Sequence, residues 1–177
     1  FSEEQTMLME TAVDFCRKHS PLDRVRAQID QPQGIDPSVW QEMIDLGWLG
    51  ITVPEQYGGL GLSLADAVPI AESMGRHLMG SPFVATTLAT QALIQSGSEA
   101  QKEQWLPQIA AGSAASLALT EEDGNWNLTE VASFAEMQEG KLLLTAKKCF
   151  VLDAPQAAVI LVSALVEGAA SLIAVSA

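Results

Sequence analysis

Three groups of residues have types and spacings that could carry chemistry. The glycine cluster at residues 58–61 is of a kind that lets backbone N–H groups approach a phosphate. The acidic run at residues 121–123 offers oxygen ligands that suit a cation such as calcium. The two histidines, His19 and His77, have side chains that can serve as general bases or assist a nucleophile.

None of these groups has the neighbours that its chemistry requires. The glycines form no G-x-G-x-x-G motif and no lysine follows them, so they predict a turn of defined shape. The acidic run lacks the glycine and ligand spacing of an EF-hand, which favours a solvated turn and no metal site. Both histidines lie within helical patterns, and His77 is expected to contact the last carbonyls of a helix.

Cysteine usage and charge restrict the compartment and the partners. Cys16 and Cys149 form no paired-cysteine motif, which favours reduced thiols in a cytoplasmic protein over a disulfide or zinc site. The chain has 9 Lys and Arg against 22 Asp and Glu, a net charge of −13. Arg76 and Lys102 are the only basic residues between positions 27 and 140, so this stretch would repel nucleic acid and anionic membranes.

The apolar run at residues 157–177 has the length of a membrane span but a different pattern. Glu167 and Gly168 interrupt it, and the Val and Ile on both sides are typical of two strands joined by a turn. We therefore predict no membrane span. Because the chain begins at Phe1 and stops at Ala177 within this run, we expect it to be a piece of a longer protein.

Helix signals dominate the first two thirds of the chain. Ser2 with Gln5 and Ser98 with Gln101 have the pattern of capping boxes, and Asp36-Pro37 is a favourable helix start. Apolar residues recur after these starts at spacings of three and four. The predicted helices cover residues 3–19, about ten residues from Pro37 to a stop at Gly47, and residues 64–79, 83–95 and 99–111.

Short β-like runs follow Gly112. The predicted strands lie at residues 116–120, 131–137, 141–145, 150–152, 158–165 and 171–176. The predicted fold class is therefore multi-domain α and β. An all-α N-terminal helical domain at residues 1–112 is followed by an incomplete antiparallel β domain at residues 113–177.

Several motifs in this order resemble one enzyme family. They are W-x-x-M-x-x-L-G-W-L-G-I-x-V-P-E-x-Y-G-G-L-G-L at residues 40–62, W-L-P-x-I-A-x-G at 105–112, L-A-L-T-E at 117–121 and A-x-V-x-L-V-x-A at 157–164. Together they make the chain similar to the acyl-CoA dehydrogenase family over essentially its whole length. The resemblance implies a helical domain, a β-barrel domain that is incomplete here, and a C-terminal four-helix domain.

The resemblance also implies an activity and its partners. Such enzymes use FAD to oxidise an acyl-CoA thioester to the trans-2-enoyl-CoA, with a carboxylate removing the α proton. That carboxylate belongs to the C-terminal domain, so no catalytic residue is assigned in this chain. The implied partners are an acyl-CoA substrate, electron-transfer flavoprotein or a similar acceptor, and further subunits of a homo- or hetero-oligomer, dimer or tetramer.

The family's flavin contacts fall on three segments of the β domain. Leu119 and Thr120 match the first segment, and the Thr120 hydroxyl would hydrogen-bond the pyrimidine side of the flavin. From the residue type alone, a buried strand threonine bonded to its neighbour is an equally good interpretation. Counted without gaps, the family's A-G-S-D turn places Asn125 at its Gly and Trp126 at its Ser.

The third flavin segment and the acyl-chain pocket complete the implied site. The family's F-I-T-N-A reads F-V-L-D-A here, which places Phe150 against the ring and Leu152 at the Thr. The predicted helix at residues 83–95 matches the part of the family that lines the acyl-chain pocket. Its candidate substrate-binding residues are Phe83, Thr87 and Gln91, with core packing as the alternative for Phe83.

Trp126 and Leu152 leave further interpretations open. An indole is much larger than a serine side chain, and leucine has no hydrogen-bonding group. The alternative to a self-sufficient enzyme is therefore a non-catalytic or flavin-poor subunit of a heteromeric acyl-CoA dehydrogenase complex. An acyl-CoA oxidase that passes electrons to oxygen is a third interpretation.

Overall fold

The computed structural model describes residues 2–29 and 34–176, with helices first and a sheet after them. This order confirms the predicted fold class. The helices are α1 (Glu3–His19), α2 (Leu22–Ile29), α3 (Pro37–Asp45), α4 (Leu64–Arg76), α5 (Phe83–Ser96) and α6 (Glu99–Ala110), with 3₁₀ turns at Trp48–Gly50, Glu55–Tyr57 and Ala154–Gln156. The strands are β1 (Ala114–Ala118), β2 (Phe134–Gln138), β3 (Lys141–Thr145), β4 (Ala157–Val166) and β5 (Ala169–Ser176).

The predicted helix starts are confirmed by their hydrogen bonds. The Gln5 N–H donates to Ser2 Oγ and the Ser2 N–H donates to Gln5 Oε1, each at 3.1 Å. Ser98 and Gln101 form a second capping box at the start of α6. Gly47 follows α3 with a φ of +74°, the left-handed conformation that commonly ends a helix.

Helix α2 is absent from the sequence prediction, which places no helix between residue 19 and Pro37. Pro21 ends α1 but also begins the next helix, because the Val25 N–H donates to the Pro21 carbonyl at 3.0 Å. Proline suits the first turn of a helix, where its missing N–H is not needed. No residue of α2 is buried.

The glycine cluster forms the shaped turn that the sequence predicts. The Leu60 N–H donates to the Gly50 carbonyl at 2.9 Å, and the Gly61 N–H donates to the Val53 carbonyl at 2.8 Å. The cluster therefore lies directly against the segment that begins with the first 3₁₀ turn. That segment carries Trp48, whose ring packs edge-on at 4.8 Å from the ring of Phe15 in the core.

β4 is the central strand of the sheet. It pairs antiparallel with β5, as predicted for two strands joined by a turn, and β2 also pairs antiparallel with β3. However, β4 pairs in parallel with β1 and, over two residues, with β2, so an entirely antiparallel sheet is wrong. The β2–β3 hairpin separates β1 from β4 in sequence and provides the long connection that a parallel pair needs. The apolar run from residue 157 forms β4 and β5.

No helix within residues 2–29 and 34–176 combines the length and the apolar character needed to cross a membrane. Phe1 and Ala177, the two ends noted in the sequence, lie outside the described residues.

Two predicted strands differ from the structure near the proposed flavin contacts. β1 ends at Ala118, so Leu119 and Thr120 lie beyond it rather than within a strand. The predicted strand at residues 150–152 is wrong, because Phe150 and Asp153 adopt positive φ angles of 54° and 52° that break an extended chain.

Thr86 of α5 joins the helices to the sheet. The Ala115 N–H donates to Thr86 Oγ1 at 3.1 Å, and the same hydroxyl donates to the Ala115 carbonyl at 3.3 Å. The register of β1 against β4 shifts between Ala114 and Ala115, so the hydroxyl satisfies backbone groups at an irregular point. The division into domains at residues 112 and 113 stays a prediction.

Replacing Thr86 by valine should lower the free energy of unfolding of the full-length protein by about 2 kcal/mol, because two buried backbone groups lose their partner. Chemical denaturation measures the change. Thr90→Val is the matched control, since Thr90 is equally buried on α5 but donates only to the Thr86 carbonyl within its own helix. Equal losses in the two variants would contradict the role of the Thr86 bridge.

Candidate functional site

The two loops implied to contact the flavin lie side by side beyond the end of β1. The Cys149 N–H donates to the Thr120 carbonyl at 2.8 Å. Ser116 Oγ, on β1, donates to the Leu152 carbonyl at 2.5 Å. These bonds bring together two segments that are distant in sequence, residues 119–121 and 148–152, which we call the rim.

The rim presents one hydroxyl and two apolar side chains. Phe150 is 89% exposed and Leu152 is 61% exposed, so neither side chain is packed in the core. Thr120 is half-buried, and its hydroxyl makes no hydrogen bond within the described part of the chain. The positive φ of Phe150 is rare for a bulky residue, and such strain is common at functional sites.

The turn after the first rim segment carries Asn125 and Trp126. Asn125 Nδ2 donates to Glu130 Oε2 at 3.1 Å, and Asn125 Oδ1 accepts the Asn127 N–H at 2.9 Å. The Asn125 side chain therefore holds its own turn. Trp126 is 81% exposed, so the position matched to the family's serine presents a large apolar surface.

Glu121, the last residue of the first rim segment, and Lys148, the first residue of the second, form a buried ion pair. Their side chains are 14% and 5% exposed, and Lys148 Nζ lies 2.8 Å from Glu121 Oε1. Glu121 also accepts the Ala132 N–H at 2.7 Å, the Ser133 N–H at 2.9 Å and the Ser133 hydroxyl at 2.5 Å. The carboxylate therefore ties the rim to the chain that enters β2.

The solvated turn predicted at residues 121–123 is wrong for Glu121 and holds for Glu122 and Asp123, which are exposed. Burial alone would raise the pKa of Glu121, but hydrogen bonds from Lys148, Ser133 and the backbone outweigh it. They lower this pKa from 4.5 to about 2. The carboxylate thus stays ionised at neutral pH.

Acidification should weaken the wild-type protein more than the Glu121→Gln variant as the pH falls from 4.5 to about 2. Because the folded pKa is depressed, the ionised carboxylate stabilises the fold above the unfolded value, and this contribution disappears as the pH falls through the folded value. Chemical denaturation of both full-length proteins at a series of pH values measures the difference in stability. A difference that stays constant across this window would contradict the buried pair.

Lys148 is the rim residue that the sequence analysis does not identify. It lies in the loop between β3 and β4 beside the exposed Lys147, and a buried lysine is unusual unless its charge is paired. The pairing with Glu121 spans 27 positions, so no local pattern reveals it. The sequence shows that Lys148 is charged, but it does not show which residue pairs with it.

The implied acyl-chain residues on α5 have different surroundings. Phe83 is buried in the core, with its ring 6.5 Å from that of Trp48, and it also borders a small cavity. Thr87 lines the same cavity, while its hydroxyl donates to the Phe83 carbonyl at 2.8 Å. Gln91 is half-buried outside it. The cavity has a volume of about 110 Å³ and is lined by Leu64, Ala67, Val68, Ala71, Phe83, Val84, Thr87 and Leu88.

A larger cavity of about 510 Å³ lies between α5, α6 and the sheet. Leu119 lines it and Thr120 does not, so these two neighbouring residues have different surroundings. Over residues 2–29 and 34–176, no group of three or more His, Cys, Asp and Glu side chains is placed to hold a metal ion. His77 Nδ1 lies 2.8 Å from the Ser73 carbonyl, the helix-end contact that the sequence predicts.

Comparison with known proteins identifies relatives over nearly the whole chain. The family model of the acyl-CoA dehydrogenase N-terminal domain matches residues 2–113. The mitochondrial isovaleryl-CoA dehydrogenase of Pongo abelii is 31% identical over 175 residues, which are 96% of this chain and 41% of that protein. The chain therefore spans less than half the length of this relative.

Solved structures agree with this match. The Tcur3481-Tcur3483 steroid ACAD G363A variant has a TM-score of 0.89 and 30% identity, covering 98% of this chain and 48% of that chain. An acyl-CoA dehydrogenase from Bacillus anthracis, solved in complex with FAD, has a TM-score of 0.83 and 28% identity. It covers 99% of this chain and 32% of that chain. Both structures share the arrangement of helices followed by a sheet.

Proposed function

Because this chain belongs to the acyl-CoA dehydrogenase family, we propose that the full-length protein uses FAD to oxidise an acyl-CoA thioester to its trans-2-enoyl-CoA. The observation that carries this proposal is the rim, where the Cys149–Thr120 hydrogen bond joins two segments implied to contact a flavin. The relative from Bacillus anthracis was solved with FAD and shares the fold, which supports the same cofactor here.

The rim residues fit one edge of a flavin ring. The Thr120 hydroxyl is available to hydrogen-bond a polar ring edge, and the exposed Phe150 side chain offers apolar surface to a flat ring. The lysines of the second loop are not free to bind the diphosphate of FAD, because Lys147 is paired with Glu122 and Lys148 with Glu121. Groups that bind the phosphates are therefore proposed to come from other parts of the protein or from another subunit.

In the reaction, residues of this chain would position the flavin ring and exclude water from it. When bound, FAD supplies the acceptor for the hydride that leaves the β carbon. Thr120 would hold the ring edge, and Phe150 would keep water away from it. The carboxylate that removes the α proton is implied to lie in the C-terminal domain, so the rim contains no catalytic residue.

The substrate and partners follow from the same family. Phe83 and Thr87 at the small apolar cavity, together with Gln91, are proposed to lie along the acyl chain. Electron-transfer flavoprotein or a similar acceptor would take the electrons, and a dimer or tetramer is the proposed assembly. The free thiols Cys16 and Cys149 support a reducing compartment such as the cytoplasm.

Product analysis tests the activity. The full-length protein, incubated with saturated acyl-CoA thioesters and an artificial electron acceptor, should yield an enoyl-CoA that is lighter by two hydrogen atoms. Mass spectrometry detects this product. Unchanged thioesters across short, branched and steroid side-chain substrates, with FAD bound, would contradict the proposed dehydrogenation.

A second candidate function is a flavin-poor subunit of a heteromeric complex. The exposed Trp126 and Leu152, which stand where the family has Ser and Thr, favour it. The Tcur3481-Tcur3483 steroid ACAD, which combines two named chains, is a relative of matching fold. Co-expression with an acyl-CoA dehydrogenase homologue from the same organism tests this candidate, since a stable mixed complex with flavin confined to one chain type would support it.

A further inference from the structure

Lys148 begins the second rim segment, and its ammonium contacts groups on both sides of Thr120. Lys148 Nζ donates to Glu121 Oε1 at 2.8 Å, to Ser163 Oγ at 3.0 Å and to the Leu119 carbonyl at 3.4 Å. Ser163 Oγ in turn donates to the Leu119 carbonyl at 3.2 Å. One charged group thus fixes the residues before and after Thr120 to the central strand β4.

We propose that Lys148 is a positioning residue for the cofactor, because it holds Leu119 and Glu121 so that the Thr120 hydroxyl faces a bound flavin. This assignment rests on the proposed function. A buried ion pair contributes little net stability compared with an apolar pair of the same shape, since both charges lose their hydration. The fixed geometry around Thr120 is therefore the main effect of the pair.

The neighbouring Lys147 provides a matched control. It carries the same charge at the adjacent position, but its side chain is 74% exposed and its partner Glu122 is also at the surface. An exposed ion pair contributes little to stability or geometry. Removing the Lys147 charge therefore changes the local electrostatics without releasing the Thr120 segment.

The test uses the full-length protein with three variants: Lys148→Met, Lys147→Met and the double variant Glu121→Gln with Lys148→Met. The single Lys148 variant leaves the Glu121 carboxylate buried and unpaired, so its melting temperature should fall, and the double variant should recover much of this loss. The dissociation constant for FAD should nevertheless rise about tenfold in both variants that lack Lys148. It should stay within about twofold in Lys147→Met.

The visible absorption band of the bound flavin is the second measurement. Its position and shape respond to hydrogen bonds at the ring edge. The band should therefore shift in the double variant although this variant recovers much of the lost stability. Wild-type FAD affinity and an unchanged band in the double variant would overturn the positioning role and leave the proposed function standing. A wild-type protein that takes up no FAD, alone or with a homologous partner, would overturn the proposed function and this assignment with it.

Discussion

Replacing Gly59 by alanine is expected to lower the free energy of unfolding of the full-length protein by about 3 kcal/mol. A Cβ atom at Gly59 would collide with the Val53 carbonyl and would lie 2.6 Å from the Gly50 carbonyl. Neither carbonyl can move freely, because each accepts a hydrogen bond from the turn itself, from Gly61 and Leu60 respectively. Relief of the collision would therefore separate the turn from the segment against which it lies.

Gly58→Ala is the control for this prediction. Gly58 has a φ of +84°, but a Cβ there would meet no atom within 4 Å. Its substitution costs only the strain of a left-handed alanine, about 1–2 kcal/mol. Chemical denaturation compares the two variants, and a larger loss for Gly58→Ala than for Gly59→Ala would show that close approach is not what the cluster requires.

The double variant Trp126→Ser with Leu152→Thr is expected to bind FAD about ten- to a hundredfold more tightly than the wild type. Each new hydroxyl would restore a hydrogen bond of about 1 kcal/mol at a position where the family pattern has Ser or Thr. The side chains of Trp126 and Leu152 are 81% and 61% exposed, so their replacement removes no core packing. Titration of the full-length apoprotein with FAD, followed by flavin fluorescence, measures the affinity.

Two substitutions elsewhere on the surface serve as controls for the double variant. Leu22 and Met137 are 55% and 63% exposed, and both lie outside the rim. Leu22→Thr with Met137→Ser makes the same kind of change in polarity and should leave FAD affinity at the wild-type value. Equal affinity in the wild type and the Trp126–Leu152 variant would mean that these residues are not at the flavin contacts.

Helix starts and hairpins could be predicted because their causes are local. The Ser98 and Gln101 side chains satisfy backbone groups three residues away, so the sequence pattern and the hydrogen bonds coincide. The hairpin of β4 and β5 turns at Glu167-Gly168, where both residues adopt positive φ angles that suit a tight turn. Helix α2 was not predicted, because Pro21, which follows α1 closely, also begins α2.

Pairings between distant residues could not be predicted in the same way. β1 and β4 pair in parallel although the β2–β3 hairpin separates them in sequence. This hairpin joins β4 past the end of β1, and no local pattern specifies that arrangement. Glu121 belongs by sequence to an acidic turn, yet its surroundings are set by Ser133 and Lys148. A charged residue therefore has an interpretable role only once its distant partners are known.

The candidate site shows both cases. The family pattern selects Thr120 and Phe150, and the structure places their segments side by side through the Cys149–Thr120 bond. The pattern does not indicate that Phe150 has a positive φ or that Asn125 is used within its own turn. These features depend on how the loops close, which residue types alone do not determine.

The flavin content of the full-length protein purified by itself tests the central claim most directly. The proposed function predicts a visible flavin absorption band at a stoichiometry of about one FAD per chain, released on denaturation. Purification under reducing conditions with added FAD, followed by removal of free cofactor, guards against simple loss during preparation. A folded, full-length protein with no flavin band after this treatment would contradict the account of the rim as a flavin site of a self-sufficient acyl-CoA dehydrogenase.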